Sequence, residues 1–356
     1  MMKMQSGIVL MVGLILVLSG CGRLAASPTQ TQPGGIPPTL PLPTQATETP
    51  MPALTFTPVP PTATPTLPPT ATPLPTLSGR GGGVLAFARE DSQQRDIYLA
   101  NADGSQLTAL TYDLFWDNWP SWSPDGSQLV FTCRQSVAGL GGGICAINAD
   151  GSNRRQLSNS NDWEPSWSPD GRYIVFASQR DGNPEIYLMD ADGSHETRLT
   201  HDPADDWQAR WSPDSTRLVF ISGRDGDWEI YIMDVSDGGL AGDSSLVRLT
   251  DNDVRDGFPD WSPDGTQIAF SSMRDGNEEI YVMDADGSDP QRLTYNDFDE
   301  SFPRWSPDGL RIAYTIFSSS ANIYSHEIAI MNADGSGQHQ ITRGSQAEEQ
   351  CPSWRP

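Results

Sequence analysis

The sequence predicts an all-β fold, a six-bladed β-propeller of four-stranded antiparallel blades, and three observations predict it. A tryptophan recurs every 44 to 50 residues, at Trp122, Trp167, Trp211, Trp261, Trp305 and Trp354. Five of the six continue as Trp-Ser-Pro-Asp, a run suited to a type I turn, with serine at the first position and proline, its φ already set, at the second. Each interval holds four short β-prone segments separated by turn residues, which at this period indicates propeller blades rather than solenoid coils.

Within one repeat, the Trp-bearing strand comes first and the Ser-Pro-Asp turn follows it. The second strand is apolar, as in Ile174-Val175-Phe176 and Leu218-Val219-Phe220. Arg-Asp-Gly then recurs at Arg180, Arg224 and Arg274, and Asp-Gly between alternating strands signals a hairpin. A third strand of the type Ile230-Tyr231-Ile232-Met233 ends in most copies at an Asp-Ala-Asp-Gly turn. A fourth closes on Leu-Thr at Leu110-Thr111, Leu199-Thr200, Leu249-Thr250 and Leu293-Thr294. Residues 84 to 110 hold the last three strands of a unit and lack the first, while the chain ends on the Trp-bearing strand "CPSWRP". The two halves are therefore expected to pair, which closes the ring and leaves no sheet edge open.

Composition divides the 356 residues into three segments. Residues 1–20 carry Lys3, the only lysine, and an apolar run from Gly7 to Leu18 that is too short to cross a bilayer, as in a secretory signal peptide. Leu18-Ser19-Gly20-Cys21 resembles the lipobox of bacterial lipoproteins, which implies lipidation of Cys21, attachment to a membrane through that lipid, and export to the extracytoplasmic face. Residues 21–80 are expected to be a disordered stalk: between Pro28 and Leu77 there are 16 Pro, 14 Thr and one charge, Glu48. Residues 81–356 are the expected propeller, read as monomeric.

That last segment carries 45 Asp and Glu against 19 Arg, a formal charge of −26. Nucleic acid is disfavoured as a partner, since binding it requires cations against phosphate, whereas basic proteins, basic peptides or divalent cations are attracted. Cys133 and Cys145 flank one predicted hairpin of an exported domain and are the favoured candidates for a disulfide, although diagonal neighbours across strands need not meet its geometry.

Five residues before each marker tryptophan stands an acid: Asp117, Asp162, Asp206, Asp256, Glu300 and Glu349. The position is where one blade hands over to the next, so six carboxylates are expected around one mouth of the channel. They either cap backbone N–H groups and pair with arginines at the blade junctions, or receive a cation, whether a divalent ion such as Ca²⁺ or a partner's Lys or Arg. Aromatic residues occupy the same loops, Trp116, Trp119, Trp163, Trp207, Phe258 and Phe302, with Trp228 in a neighbouring hairpin turn. They either pack between blades or face a glycan or extended peptide. The Asp-Ala-Asp-Gly turns lack the ligand spacing of a calcium loop and read as plain hairpin turns. His195, His201, His326 and His339 are scattered and expected at the surface, and Gly139 to Gly143 is expected to be a flexible loop.

The repeat resembles that of the TolB-type propellers, also found in relatives of prolyl oligopeptidase, across nearly all of residues 84 to 354. The resemblance implies a six-bladed platform for protein contacts in the cell envelope, with a partner lipoprotein docking over the channel mouth in the type member. Here a lipid anchor and stalk are expected where that family has an N-terminal α/β domain. The function expected is non-catalytic binding of a protein or peptide. Two alternatives fit less of the sequence: a glycan-active or lactonase-like propeller using a channel-bound divalent cation as Lewis acid, and an inert structural surface protein.

Overall fold

The computed structural model describes residues 83–356, apart from 92–93, 113–115, 135–141, 237–244, 321–322 and 343–346. Cys21, the signal segment and the stalk lie outside the described residues. Six four-stranded antiparallel sheets form the six blades. Blades two to six each follow the chain, with inner strands Trp116–Trp122, Asp162–Trp167, Asp206–Trp211, Asp256–Trp261 and Asp299–Trp305. Blade one is composite. Its inner strand is the C-terminal Glu348–Trp354, hydrogen-bonded to Val84–Asp91 in a register that sets Trp354 opposite Leu85 and Glu349 opposite Arg89.

Six apolar clusters, one at each junction between neighbouring blades, make the core. The cluster between blades six and one, Ala313, Ile328 and Ile330 against Leu85, Phe87 and Ala100, has the same character as the other five, so the ring is closed by packing as well as by strand pairing. Three of the marker tryptophans staple their junctions: Trp354 Nε1 donates to the Arg304 carbonyl at 3.0 Å, Trp211 Nε1 to that of Ser166 at 3.2 Å and Trp122 Nε1 to that of Ser353 at 3.3 Å. Each turn serine receives the backbone N–H that opens the second strand, as in Gln128 N to Ser123 Oγ at 2.9 Å.

Leu-Thr recurs for a physical reason. The outer strands are two residues long and stop pairing at once, as at Thr197–Arg198. The hydroxyl that follows then accepts the N–H of the third strand, Ile97 to Thr111, Ile186 to Thr200, Ile230 to Thr250, Ile280 to Thr294 and Ile328 to Thr342, each at 2.9 Å. Ser158 does the same for Ile144 at 3.0 Å. A buried backbone donor that the ladder would orphan is thereby satisfied.

Two sequence expectations change. Gly142 and Gly143 open a strand, Gly142–Asn148, rather than ending a loop, and a Cβ on Gly143 would stand 1.9 Å from the Ser158 carbonyl oxygen. His326 is largely buried against the Phe317 ring at 4.5 Å, and burial, with Arg95 nearby, pulls it down to about 4. Cys133 and Cys145 form a disulfide across the hairpin, with Cα atoms 5.8 Å apart.

Candidate functional site at the channel mouths

The strand register defines two ends. Each inner strand starts at or one residue before its acid, at the end where the second and third strands join, which in blades three to five is the Arg-Asp-Gly hairpin, and finishes at its tryptophan, followed in blades two to six by the Ser-Pro-Asp turn. Asp206 lies opposite Ser222 and Trp211 opposite Leu218.

At the acid end all six carboxylates are buried: Asp117, Asp162, Asp206 and Asp256 are 0% exposed, and Glu300 and Glu349 are 1%. They form the wall of the mouth rather than its surface. Three meet the arginine of their own hairpin turn, Asp162 to Arg180 at 2.9 Å, Asp206 to Arg224 at 2.9 Å and Asp256 to Arg274 at 3.0 Å. Blade two lacks that motif, and Arg154 from before its outer strand takes the place, donating to both Asp117 oxygens at 2.8 and 2.9 Å. Glu349 pairs with Arg89 at 3.3 Å. The arginines are held by rings as well, Arg224 over Tyr231 at 5.2 Å and Arg274 over Tyr281 at 4.9 Å.

A second carboxylate adjoins some of these. Glu185 feels Asp206 and Glu229 feels Asp256, each across a blade junction, and each has its own arginine, Arg198 at 2.5 Å and Arg248 at 3.0 Å. Those two junctions each bury two carboxylates against two guanidiniums, and the half-exposed Asp181 and Asp225 add a further carboxylate to Arg198 and Arg248. The junction of blades five and six holds Glu279 and Glu300 with one guanidinium, Arg292. Glu300 has the Asn296 amide at 2.7 Å instead of an arginine, and burial, with Glu279 alongside, pushes it up to about 7. Below about pH 7 a proton replaces the missing cation there.

The aromatic set divides by position. Trp163, Phe258 and Phe302 are buried, at 7%, 7% and 8% exposure, and so pack rather than face a ligand. Trp116, Trp119, Trp207 and Trp228 are half-buried; Trp207 and Trp228 lie 5.4 Å apart and Arg95 covers Trp116 at 5.1 Å. Two residues after each acid the inner strand bulges, and the residue there has a left-handed backbone: Trp119, Glu164, Gln208, Phe258, Phe302 and Cys351, with φ between 50° and 59°. Proline follows it in five blades and supplies no N–H to the ladder. These six residues plug the channel. Glu164 N donates to Thr132 Oγ1, Gln208 N to Glu164 Oε2 and Phe258 N to Gln208 Oε1, at 3.0, 3.0 and 2.7 Å, while Phe258, Phe302 and Cys351 form an apolar cluster with Trp119 against it.

What the acid end shows to solvent is the residue after each Leu-Thr. Tyr112 and Tyr295 are 76% and 73% exposed, His201 and Asp251 are exposed at the same position, and Phe298, Asp253 and Asp297 extend the face. The sequence signal for them was the fixed offset from Leu-Thr. At the opposite end, the Asp-Ala-Asp-Gly carboxylates are taken up by their own turn serines, as in Ser288 Oγ to Asp286 Oδ1 at 2.6 Å. Among the described residues no cluster of three His, Cys, Asp or Glu is placed to hold a metal ion.

Six blades around a plugged channel, closed by the two ends of one domain, define a six-bladed β-propeller. A family model described as the TolB beta propeller domain matches residues 146–242 and 210–356, and the chain belongs to that family. The structure is similar to TolB from Acinetobacter baumannii, at 26% identity and a TM-score of 0.66, covering 80% of this chain and 69% of that one. It is similar also to a TolB-like structure described as putative from Agrobacterium tumefaciens, at 22% identity and a TM-score of 0.59, covering 78% of this chain and 100% of that one. An oligogalacturonate lyase from Vibrio parahaemolyticus shares the fold at 15% identity and a TM-score of 0.50, over 73% of this chain and 74% of that one. Comparison with curated protein sequences gives no match.

Proposed function

We propose that the protein is a non-catalytic binding propeller on the extracytoplasmic face of a cell envelope, receiving a protein or peptide of basic character on its acid-end face. In this reading residues 1–20 direct export, lipid on Cys21 anchors the chain, 21–80 form the stalk and 81–356 bind as a monomer. The observation that carries it is the solvent-facing set at that end, Tyr295 and Phe298 with Asp297 after the outer strand of blade five, Asp251 and Asp253 after that of blade four, and Tyr112 after that of blade one. Exposed aromatics amid carboxylates suit an extended chain bearing Lys or Arg, through apolar contact, cation–π attraction and charge. The half-buried Trp116, Trp119, Trp207 and Trp228 form the floor of the face. The six junction acids hold it in shape and shape its field without touching the ligand. Membership of the TolB propeller family supports a role in protein contacts and location in the envelope.

The test is cross-linking in native cells with the full chain, followed by mass spectrometry. Cross-links are expected at the acid end, and the triple variant Tyr112→Ala, Tyr295→Ala, Phe298→Ala should lose the captured partner while keeping its unfolding transition. Capture that is unchanged in this variant, or cross-links confined to the opposite end, would overturn the reading.

A further inference from the structure

The Trp end of the channel differs in kind from the acid end. Four residues after each acid, the inner strands place Ser121, Ser166, Arg210, Asp260, Arg304 and Ser353 around a cavity of about 170 Å³, rimmed by Pro120, Pro307 and Pro356. Blades one to three contribute hydroxyls and blades four to six contribute charge.

That charge does not balance. Among the described residues neither the Arg210 nor the Arg304 guanidinium has a carboxylate within ion-pair distance, although elsewhere the arginines of this acidic domain are mostly paired. Each donates only to the carbonyl of the residue before it, Arg210 to Ala209 at 3.0 Å and Arg304 to Pro303 at 2.7 Å. Asp260 stands in the same ring and attracts both, yet its Oδ2 already accepts the Trp305 N–H at 2.8 Å. Glu164, one layer deeper, also feels both guanidiniums, but burial pushes its carboxyl up to about 7, so much of its charge is absent near neutrality. Burial and repulsion from Arg304 pull Arg210 down to about 9. Two like charges lining one cavity, each with only a neighbouring carbonyl as protein acceptor among the described residues, are relieved by a bound anion.

We infer that this mouth is a binding site for a compact oxyanion, a carboxylate or phosphate group held between the Arg210 and Arg304 guanidiniums with the Ser166 and Ser353 hydroxyls in reach. Two planar guanidinium forks match the two or three oxygens of such a group. The rim sets the size limit. Asp125, Asp170, Asp214, Asp264 and Asp308 stand at this end on the five Ser-Pro-Asp turns, outside the cavity lining, so a polyanion is repelled more strongly than a small anion. The site is independent of the partner face proposed above.

Isothermal titration of the full chain with inorganic phosphate, and separately with acetate at matched ionic strength, tests it. Saturable one-to-one binding of at least one anion is expected, and which one saturates assigns the group as phosphate or carboxylate. Arg210→Gln and Arg304→Gln should each weaken binding at least tenfold, and Arg217→Gln, whose guanidinium stacks on Trp261 outside the cavity, should leave it unchanged. Asp260→Asn keeps an acceptor for Trp305 and removes the competing charge, so it should tighten binding severalfold; this gain cannot come from misfolding. Absence of saturable heat with both anions, an Arg210→Gln, Arg304→Gln double variant that binds like wild type, or an Asp260→Asn variant that binds no better would each overturn the inference.

Discussion

The two mouths of one channel solve the same problem in opposite ways. At the acid end five of six buried carboxylates own an arginine, and the sixth, Glu300, is pushed by burial up to about 7, so that a proton neutralises it below that pH. At the Trp end two arginines share the influence of one aspartate that neither touches. The first arrangement repeats because every blade junction buries an acid and must neutralise it, since an uncompensated buried charge costs several kcal/mol. The second does not repeat, and an imbalance in a cavity that solvent can enter is where a ligand gains most. Symmetry in this molecule marks structure, and departures from symmetry mark places to look for binding.

Breaking a paired junction should have the largest effect. Arg224→Ala leaves Asp206 buried without a cation, with only the Ser222 and Thr200 hydroxyls beside it, and should lower stability by about 3 kcal/mol, read as a fall in the urea midpoint. The unpaired junction should respond with the opposite sign. The Glu300 carboxyl lies above its unfolded value, so its contribution is fully present below about pH 4.5 and is lost as pH rises through about 7. Glu300→Gln should then be nearly neutral at pH 5 and stabilise by about 2 kcal/mol at pH 8. Ser318 stands where the hairpin arginine of blades three to five would fall, two residues beyond the partner of the acid, so Ser318→Arg should also stabilise at pH 8, by roughly 1 kcal/mol. The smallest change is expected at the Trp end, where Arg210→Gln breaks no ion pair and relieves repulsion; its unfolding midpoint should stay within about 1 kcal/mol of wild type.

Most of the fold was legible because the repeat states it six times. The Trp-Ser-Pro-Asp turn, the Arg-Asp-Gly hairpin and the split first blade all carry local chemistry that only one arrangement satisfies. Even the pairing of acid and arginine is written at a constant spacing, Asp162 to Arg180, Asp206 to Arg224 and Asp256 to Arg274, although Arg154 reaches Asp117 from a different loop and no spacing reveals it. Burial was the hidden quantity. It turned an expected rim of acids into an internal wall and sent Phe258 and Phe302 into the plug, because left-handed bulges redirect side chains in a way that strand alternation does not foretell. Tyr112, Arg210 and Arg304 are not legible in the repeat for a further reason: their positions hold different residues in different blades.

Buried charge in this propeller is balanced junction by junction, with a proton standing in below about pH 7 where an arginine is missing. A ¹³C carboxyl titration of Glu300 in the labelled full chain tests this directly. A midpoint near 7 in the wild type, moving down in Ser318→Arg, is the predicted result; a midpoint near 4.5 in the wild type would contradict it.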